Sequence, residues 1–187
     1  YDSLKSKKIV GIDPGKCDLI YCVDGDNKDA NKFRYCQDQR RKELKINKYK
    51  KILLDHKKEK INGKTIIEYE TELAEYNRKS LDIQKYKAYL KKKNKMNSIL
   101  FSFYEKELYR KLKLNTYLNT KRSEQRMMNQ FQKKFGSNKD VIVCFGDYEQ
   151  KQHMKFKEPI KGKGMRTLFK RNGYSTYLVD EFRTSCR

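Results

Sequence analysis

Three short apolar runs in this sequence end in acids. KIVGID closes on Asp13, VIVCFGD on Asp147, and YSTYLVDE on the adjacent pair Asp180 and Glu181. In an open α/β sheet, sites form outside the carboxyl ends of parallel strands. Acids gathered there repel one another unless a cation sits between them. Mg²⁺ takes oxygen ligands and keeps waters and substrate phosphates in its shell. Two such ions activate a water and stabilise the leaving oxygen in phosphodiester hydrolysis. The plainer alternative is that each acid is only a turn residue, as Asp before Pro-Gly often is. The same chemistry at three strand ends favours a shared task.

The elements that would position these acids can be read from periodicity. Residues 8–13 read as a buried strand, 18–23 as a second, and 32–36 (KFRYC) as a third, with the DGDN turn before it. From about Gln37 to Phe135 the chain has no Pro and a single Gly, Gly63. Tyr49, Ile52, Leu53 and His56 fall at helical spacing, and Gly63 is expected to stop that helix. Thr65 to Glu68 (TIIE) spells a capping box that starts the next. Tyr86, Tyr89, Leu90, Ile99, Leu100, Phe103, Tyr104 and Leu108 predict a long third helix. A fourth is expected near 123–135, closed by Gly136. Val141 to Asp147 reads as a strand covered on both faces. GMRTLFKRNG reads as a short helix ended by Gly173, and Tyr174 to Glu181 as a last strand. Strand, helix, strand in that order predicts a parallel pair with a right-handed crossover. The organisation expected is core strands in 1–36, a basic helical segment in 37–136, and the remaining core in 137–187. GIDPG also suits a phosphate-binding turn of an actin-like ATPase, but that fold requires a second phosphate loop and far more chain.

Charge narrows the partners. Lys+Arg 46 against Asp+Glu 24 leaves +22, an excess that repels itself unless something acidic binds. Nucleic acid is the first candidate and an anionic membrane surface the second. No apolar run approaches the roughly 20 residues of a membrane span. The cysteines, Cys17, Cys22, Cys36, Cys144 and Cys186, form no CxxC pair, and three lie in expected strands, which suits a reducing compartment. Lys91, Lys92 and Lys93 sit in the run KYKAYLKKKNK, either a solvated helix face or a track for phosphates. Tyrosines interleaved there are either core or platforms for bases. Lys161, Lys163 and Arg166 surround KGKG, a phosphate cradle at a helix start or a flexible loop. His56 and His153 are isolated and read as structural or surface residues.

Taken together, GIDPG at 11–15, FRYCQDQRR at 33–41, KFG followed by VIVCFGDY at 134–148, and VDEFRTS at 179–185 resemble, in order and spacing, the RuvC-like nuclease segment of the Fanzor family. These are eukaryotic and viral relatives of the TnpB transposon nucleases. The resemblance implies an RNase H-like α/β fold: three antiparallel strands, a large basic helical insertion, then a parallel strand–helix–strand unit. It implies a Mg²⁺- or Mn²⁺-dependent endonuclease guided by RNA to target DNA, in the nucleus or cytoplasm, with no membrane partner. It makes Asp13 and Glu181 the catalytic, metal-binding acids. In TnpB relatives the second acid is a Glu where Gly146 stands here; the Fanzor pattern moves it to the DE-aromatic-R-T-S motif, and Asp147 is the reserve. Lys91, Lys92, Lys93, Lys161, Lys163, Arg166 and Arg183 become candidate nucleic-acid contacts. Zinc would belong to a ribbon beginning after Ser185, followed by a third acid, and Cys186 is not assigned to it. The chain is therefore expected to be a piece of something longer and an incomplete enzyme. The competing expectations are a non-catalytic RNA- or DNA-binding fragment and a helical interaction protein.

Overall fold

The computed structural model describes residues 6–25, 29–147 and 160–180. The chain divides into two compact units, one of residues 1–44 and 119–187, the other of residues 45–118. The first is mixed α/β. Its strands are β1 (Lys8–Asp13), β2 (Asp18–Val23), β3 (Lys32–Cys36), β6 (Val141–Gly146) and β7 (Ser175–Val179). They form one sheet in the order β3-β2-β1-β6-β7. β1 pairs antiparallel with β2, and β2 with β3, whereas β6 runs parallel to both β1 and β7. The three antiparallel strands and the later parallel pair thus join at β1 and β6, the centre of the sheet.

Alternation decides which face of each strand is covered. Val10 and Ile12 of β1 and Val143 and Phe145 of β6 stand on one face and are buried. Met127, Met128, Phe131 and Phe135 pack there from helix α5 (Glu107–Phe135), and Met165 and Phe169 from helix α6 (Gly162–Arg171). Phe131 is the hub, with edge-on rings of Phe33, Phe169 and Tyr174 around it. β1, expected as a buried strand, is buried on one face only: Ile9 on the opposite face is 59% exposed. Helix α1 (Gln37–Glu43) follows β3 directly, its first turn capped by the Cys36 sulfur, which accepts from the Gln39 amide at 3.4 Å. α5 ends at Gly136, whose φ of 119° gives the left-handed turn expected of it.

A polar chain ties α5 to the sheet. The buried hydroxyls of Tyr35 and Ser123 lie 2.5 Å apart, and Ser123 donates to the Glu43 carboxylate. Gln39 and Arg126 hold the other Glu43 oxygen at 3.1 Å each. Burial opposes ionisation of Glu43, but the hydrogen bonds from Ser123, Gln39 and Arg126 outweigh it and lower its pKa. The Tyr35 phenol is raised by its burial.

The second unit holds α2 (Ile46–Lys57), the hairpin β4 (Lys60–Ile61) and β5 (Lys64–Thr65), α3 (Ile66–Ala74), α4 (Ile83–Tyr104) and residues 107–118 of α5. The hairpin is absent from the expected elements. Asn62 and Gly63, at φ 51° and 80°, make the two-residue turn that Asn-Gly favours between strands, so Gly63 reverses a hairpin rather than stopping a helix. The Thr65–Glu68 capping box forms as expected. The long third helix stops at Tyr104, and α5 starts at Glu107 instead of near 123. The core is small: Ile66, Tyr69, Met96 and Phe103 are buried, with Tyr104 and Tyr109 against them. The His56 ring packs against Phe103, tilted by 45° with centroids 4.7 Å apart, a structural position. Among the described residues, no helix is long and apolar enough to cross a membrane.

Candidate active site

The registers bring the carboxyl ends of three acid-tipped strands side by side, with Asp13 turned to one face of the sheet and Asp147 and Asp180, in step with Phe145 and Leu178, to the other. Ile12 of β1 is level with Phe145 of β6, and Gly146 of β6 with Val179 of β7. Asp13 therefore closes its strand beside Gly146, and Asp147 and Asp180 follow one step further along theirs. The Asp147 amide donates to the Val179 carbonyl at 2.9 Å, which continues the β6–β7 ladder to this point. All three acids are exposed. On β1, Val10 and Ile12 point into the core, so alternation sends Asp13 to the opposite face.

The turn after Asp13 is tightly built. Pro14 is buried. The Gly15 amide donates to the Asp18 carbonyl at 2.9 Å, and a Cβ on Gly15 would come within 2.8 Å of that same oxygen. Only a residue without a side chain fits there, which explains the second glycine of GIDPG. The first glycine, Gly11, meets nothing closer than 3.8 Å.

Helix α6 arrives at this turn end-on. A Cβ on Gly162, its first residue, would meet the Pro14 Cβ at 3.3 Å. KGKG is thus the first turn of the helix rather than a loop before it. Its cap residue, Lys161, makes no side-chain capping bond. Met165 and Phe169 anchor the helix in the core, while Lys163 is exposed and Arg166 half-buried. The positive end of a helix and two basic side chains therefore sit next to the loop that follows Asp13. A helix start of this kind favours negative charge, but it packs on the core face, opposite the one to which Asp13 is turned.

Among the described residues, no three His, Cys, Asp or Glu groups stand close enough to hold a metal ion. The donors at the strand ends are all carboxylates, which match Mg²⁺ or Mn²⁺ in kind but do not by themselves complete a shell. Glu181 and Arg183 lie outside the described residues, as do His153 and Cys186. Cys17, Cys22, Cys36 and Cys144 are free thiols. Burial pushes the Cys22 and Cys144 thiols up, so they are inert packing groups.

The three lysines of the helical run are not equivalent. Lys92 pairs with Glu72 at 2.8 Å, and Lys93 lies 5.8 Å from the Tyr89 ring. Lys91 has no acidic partner among the described residues and is exposed. Lys64 also pairs with Glu72, and these two lysines pull its carboxyl down to about 2. All of this belongs to the second unit. Sequence reasoning missed the seating of Gly162 on Pro14, since no local pattern joins residues so far apart. It also left open whether Tyr86 and Tyr89 were core. Compared with known proteins, the chain matches no family model, and no curated protein is significantly similar to it.

Proposed function

We propose that this chain is the nuclease core of an RNA-guided DNA endonuclease with an RNase H-like, RuvC-type fold, resembling the Fanzor relatives of TnpB. The observation that supports the reading is Asp13 at the carboxyl end of the central strand β1, beside the acid-tipped carboxyl ends of β6 and β7, with the α6 N-terminus against Pro14. Mg²⁺ or Mn²⁺ bound at such acids would activate water and neutralise charge on the scissile phosphate. Asp13 supplies the first carboxylate, Glu181 is the proposed second acid, and Asp147 is the reserve. The first-turn amides of α6, with Lys163 and Arg166, hold the phosphate charge. A charge of +22 supports a polyanionic substrate.

The test pairs two readouts on the full 187-residue chain. Mn²⁺ binding is followed by electron paramagnetic resonance, and nicking of single-stranded DNA by gel. Asp13→Asn and Glu181→Gln are each expected to weaken Mn²⁺ binding at least tenfold and to remove whatever nicking the native chain shows. Mn²⁺ binding unaffected by both substitutions would sink the proposal. The second reading, a nucleic-acid-binding protein without catalysis, draws on the lack of a three-ligand cluster among the described residues. It predicts salt-sensitive binding to DNA and RNA with no Asp13-dependent Mn²⁺ site.

A further inference from the structure

The first half of α4 buries nothing. Met96 and Phe103 are the buried residues of this 22-residue helix, and both lie in its second half. Leu81 and Ile83 at its start are 101% and 67% exposed. After the cap Asp82, no acid follows until Glu105, while Lys85, Lys87, Lys91, Lys92, Lys93 and Lys95 do. A helix stretch with so little packing should avoid large aromatic surface, yet it carries two tyrosines in contact. The Tyr86 and Tyr89 rings stack 6.2 Å apart at 30°. The Lys93 ammonium lies 5.8 Å from the far ring. These residues follow at i, i+3 and i+7, so they share one face of the helix. The pile runs Lys93, Tyr89, Tyr86. Its last member is exposed, with one π-face unoccupied by Tyr89.

A cleft adjoins the pile. Tyr89 lines it together with Tyr76, Asn77, Arg78 and Lys79, from the segment after α3 (Ile66–Ala74), with Leu73 and Ala74, and with two acids, Glu75 and Glu70, the latter paired with Lys57 at 2.8 Å. Arg78 and Lys79 have no acidic partner among the described residues. The Asn77 side-chain oxygen accepts from the Lys79 amide at 2.9 Å, which holds the turn.

We propose that this face of the second unit is a stacking platform for single-stranded nucleic acid. One base continues the Tyr86–Tyr89 pile, and the neighbouring phosphates lie along the same face at Lys93 and enter the cleft at Arg78 and Lys79. The chemistry recognised is an unpaired base, because a duplex keeps its π-faces inside its own stack. Stacked aromatics plus a basic track give binding that tolerates any sequence. The inference rests on the nucleic-acid reading above but does not require catalysis.

The test uses the whole chain and fluorescence anisotropy with three labelled probes: oligo-dT, oligo-U, and a blunt duplex of matched charge. Tyr86→Leu keeps an apolar side chain on an exposed helix face, so helicity by circular dichroism should not change. It is expected to weaken single-strand binding roughly five- to a hundredfold and to leave the duplex unaffected. Tyr86→Phe and Tyr86→Trp should restore single-strand affinity, and 2-aminopurine placed in the oligonucleotide should be quenched by the native chain and not by Tyr86→Leu. A loss confined to oligo-dT or to oligo-U identifies which strand the platform holds. Equal loss for single strand and duplex, or no loss for either, overturns the platform. If the native chain binds none of the three probes, the nucleic-acid reading falls with it. A Tyr86 effect alongside Asp13-independent Mn²⁺ binding would leave the platform standing and remove only the nuclease.

Discussion

Gly162 is seated on Pro14 so closely that a single methyl group on its α-carbon would come within 3.3 Å of the proline Cβ. This contact is what fixes the start of α6 at the turn following Asp13. Gly164, two residues on, has nothing within 4 Å of where its Cβ would stand.

Gly162→Leu is therefore expected to drive α6 off Pro14 and lower stability by about 1–3 kcal/mol, the usual cost of overpacking. Gly164→Leu should change it by less than about 0.5 kcal/mol, as exposed positions do. Urea denaturation of the two variants checks this. Similar values for both would mean that the Pro14 contact does not constrain the helix.

Ser123 is the middle of the chain from Tyr35 to Glu43. Ser123→Ala strands a buried phenol and removes a donor from a carboxylate, at a cost of about 1–3 kcal/mol. Tyr35→Phe alone should cost a similar amount. Made together, the two should cost clearly less than their sum, since each removes the partner the other would leave unpaired. A double-mutant cycle by thermal or urea unfolding measures the coupling. Strict additivity would show that the two hydroxyls act independently.

Asp24 gives a pH dependence with a definite sign. Its carboxylate accepts from Lys8, from the Asn31 side chain at 2.8 Å and from the Asn31 amide at 2.7 Å. The bond from Lys8 is the largest cause, and the carboxyl is held down at about 2, from an ordinary 3.8. Because the folded value is depressed, the stabilisation is fully present above the ordinary carboxylate range. It fades as pH falls through about 4 towards 2, where the folded carboxyl takes up its proton. The native chain should therefore exceed Asp24→Asn in stability at pH 7, and the gap should close over that interval. A gap that stays constant from pH 7 to pH 2 would contradict the assignment.

Much of the sheet unit was legible because its signals are local. The bounds of β1 to β3 follow from short apolar runs and from the DGDN turn, and the end of α5 from Gly136. The Thr65 capping box is likewise a four-residue pattern. The hairpin at Lys60–Thr65 was missed although Asn62-Gly63 is a strong turn signal, because the flanking strands are two residues each and carry no period. The junction of α4 and α5 was misplaced because Glu105 and Lys106 are good helix formers, so composition does not mark the break. At the candidate site, the acids at the strand ends were legible as residues. Which face each acid takes was not, because it depends on the register in which β6 pairs with β1. The open face of β1 was missed for the same reason: an apolar run cannot say which of its sides something will cover.

The pairing of β6 with β1 also sets the order in which the protein can fold. The central pair of the sheet joins residues 8–12 to residues 141–145, with the whole of the second unit made in between. During synthesis, at about 5–20 residues per second, β1 waits on the order of ten seconds for its partner strand. Over that time β1 has β2 on one edge and an unpaired ladder on the other, with Val10 and Ile12 bare until Phe131 and Phe145 are made. The second unit, whose contacts are mostly close in sequence, can form during this wait. The first half of the sheet cannot finish, and its exposed edge is the place where a chaperone, or another nascent copy, would reach it.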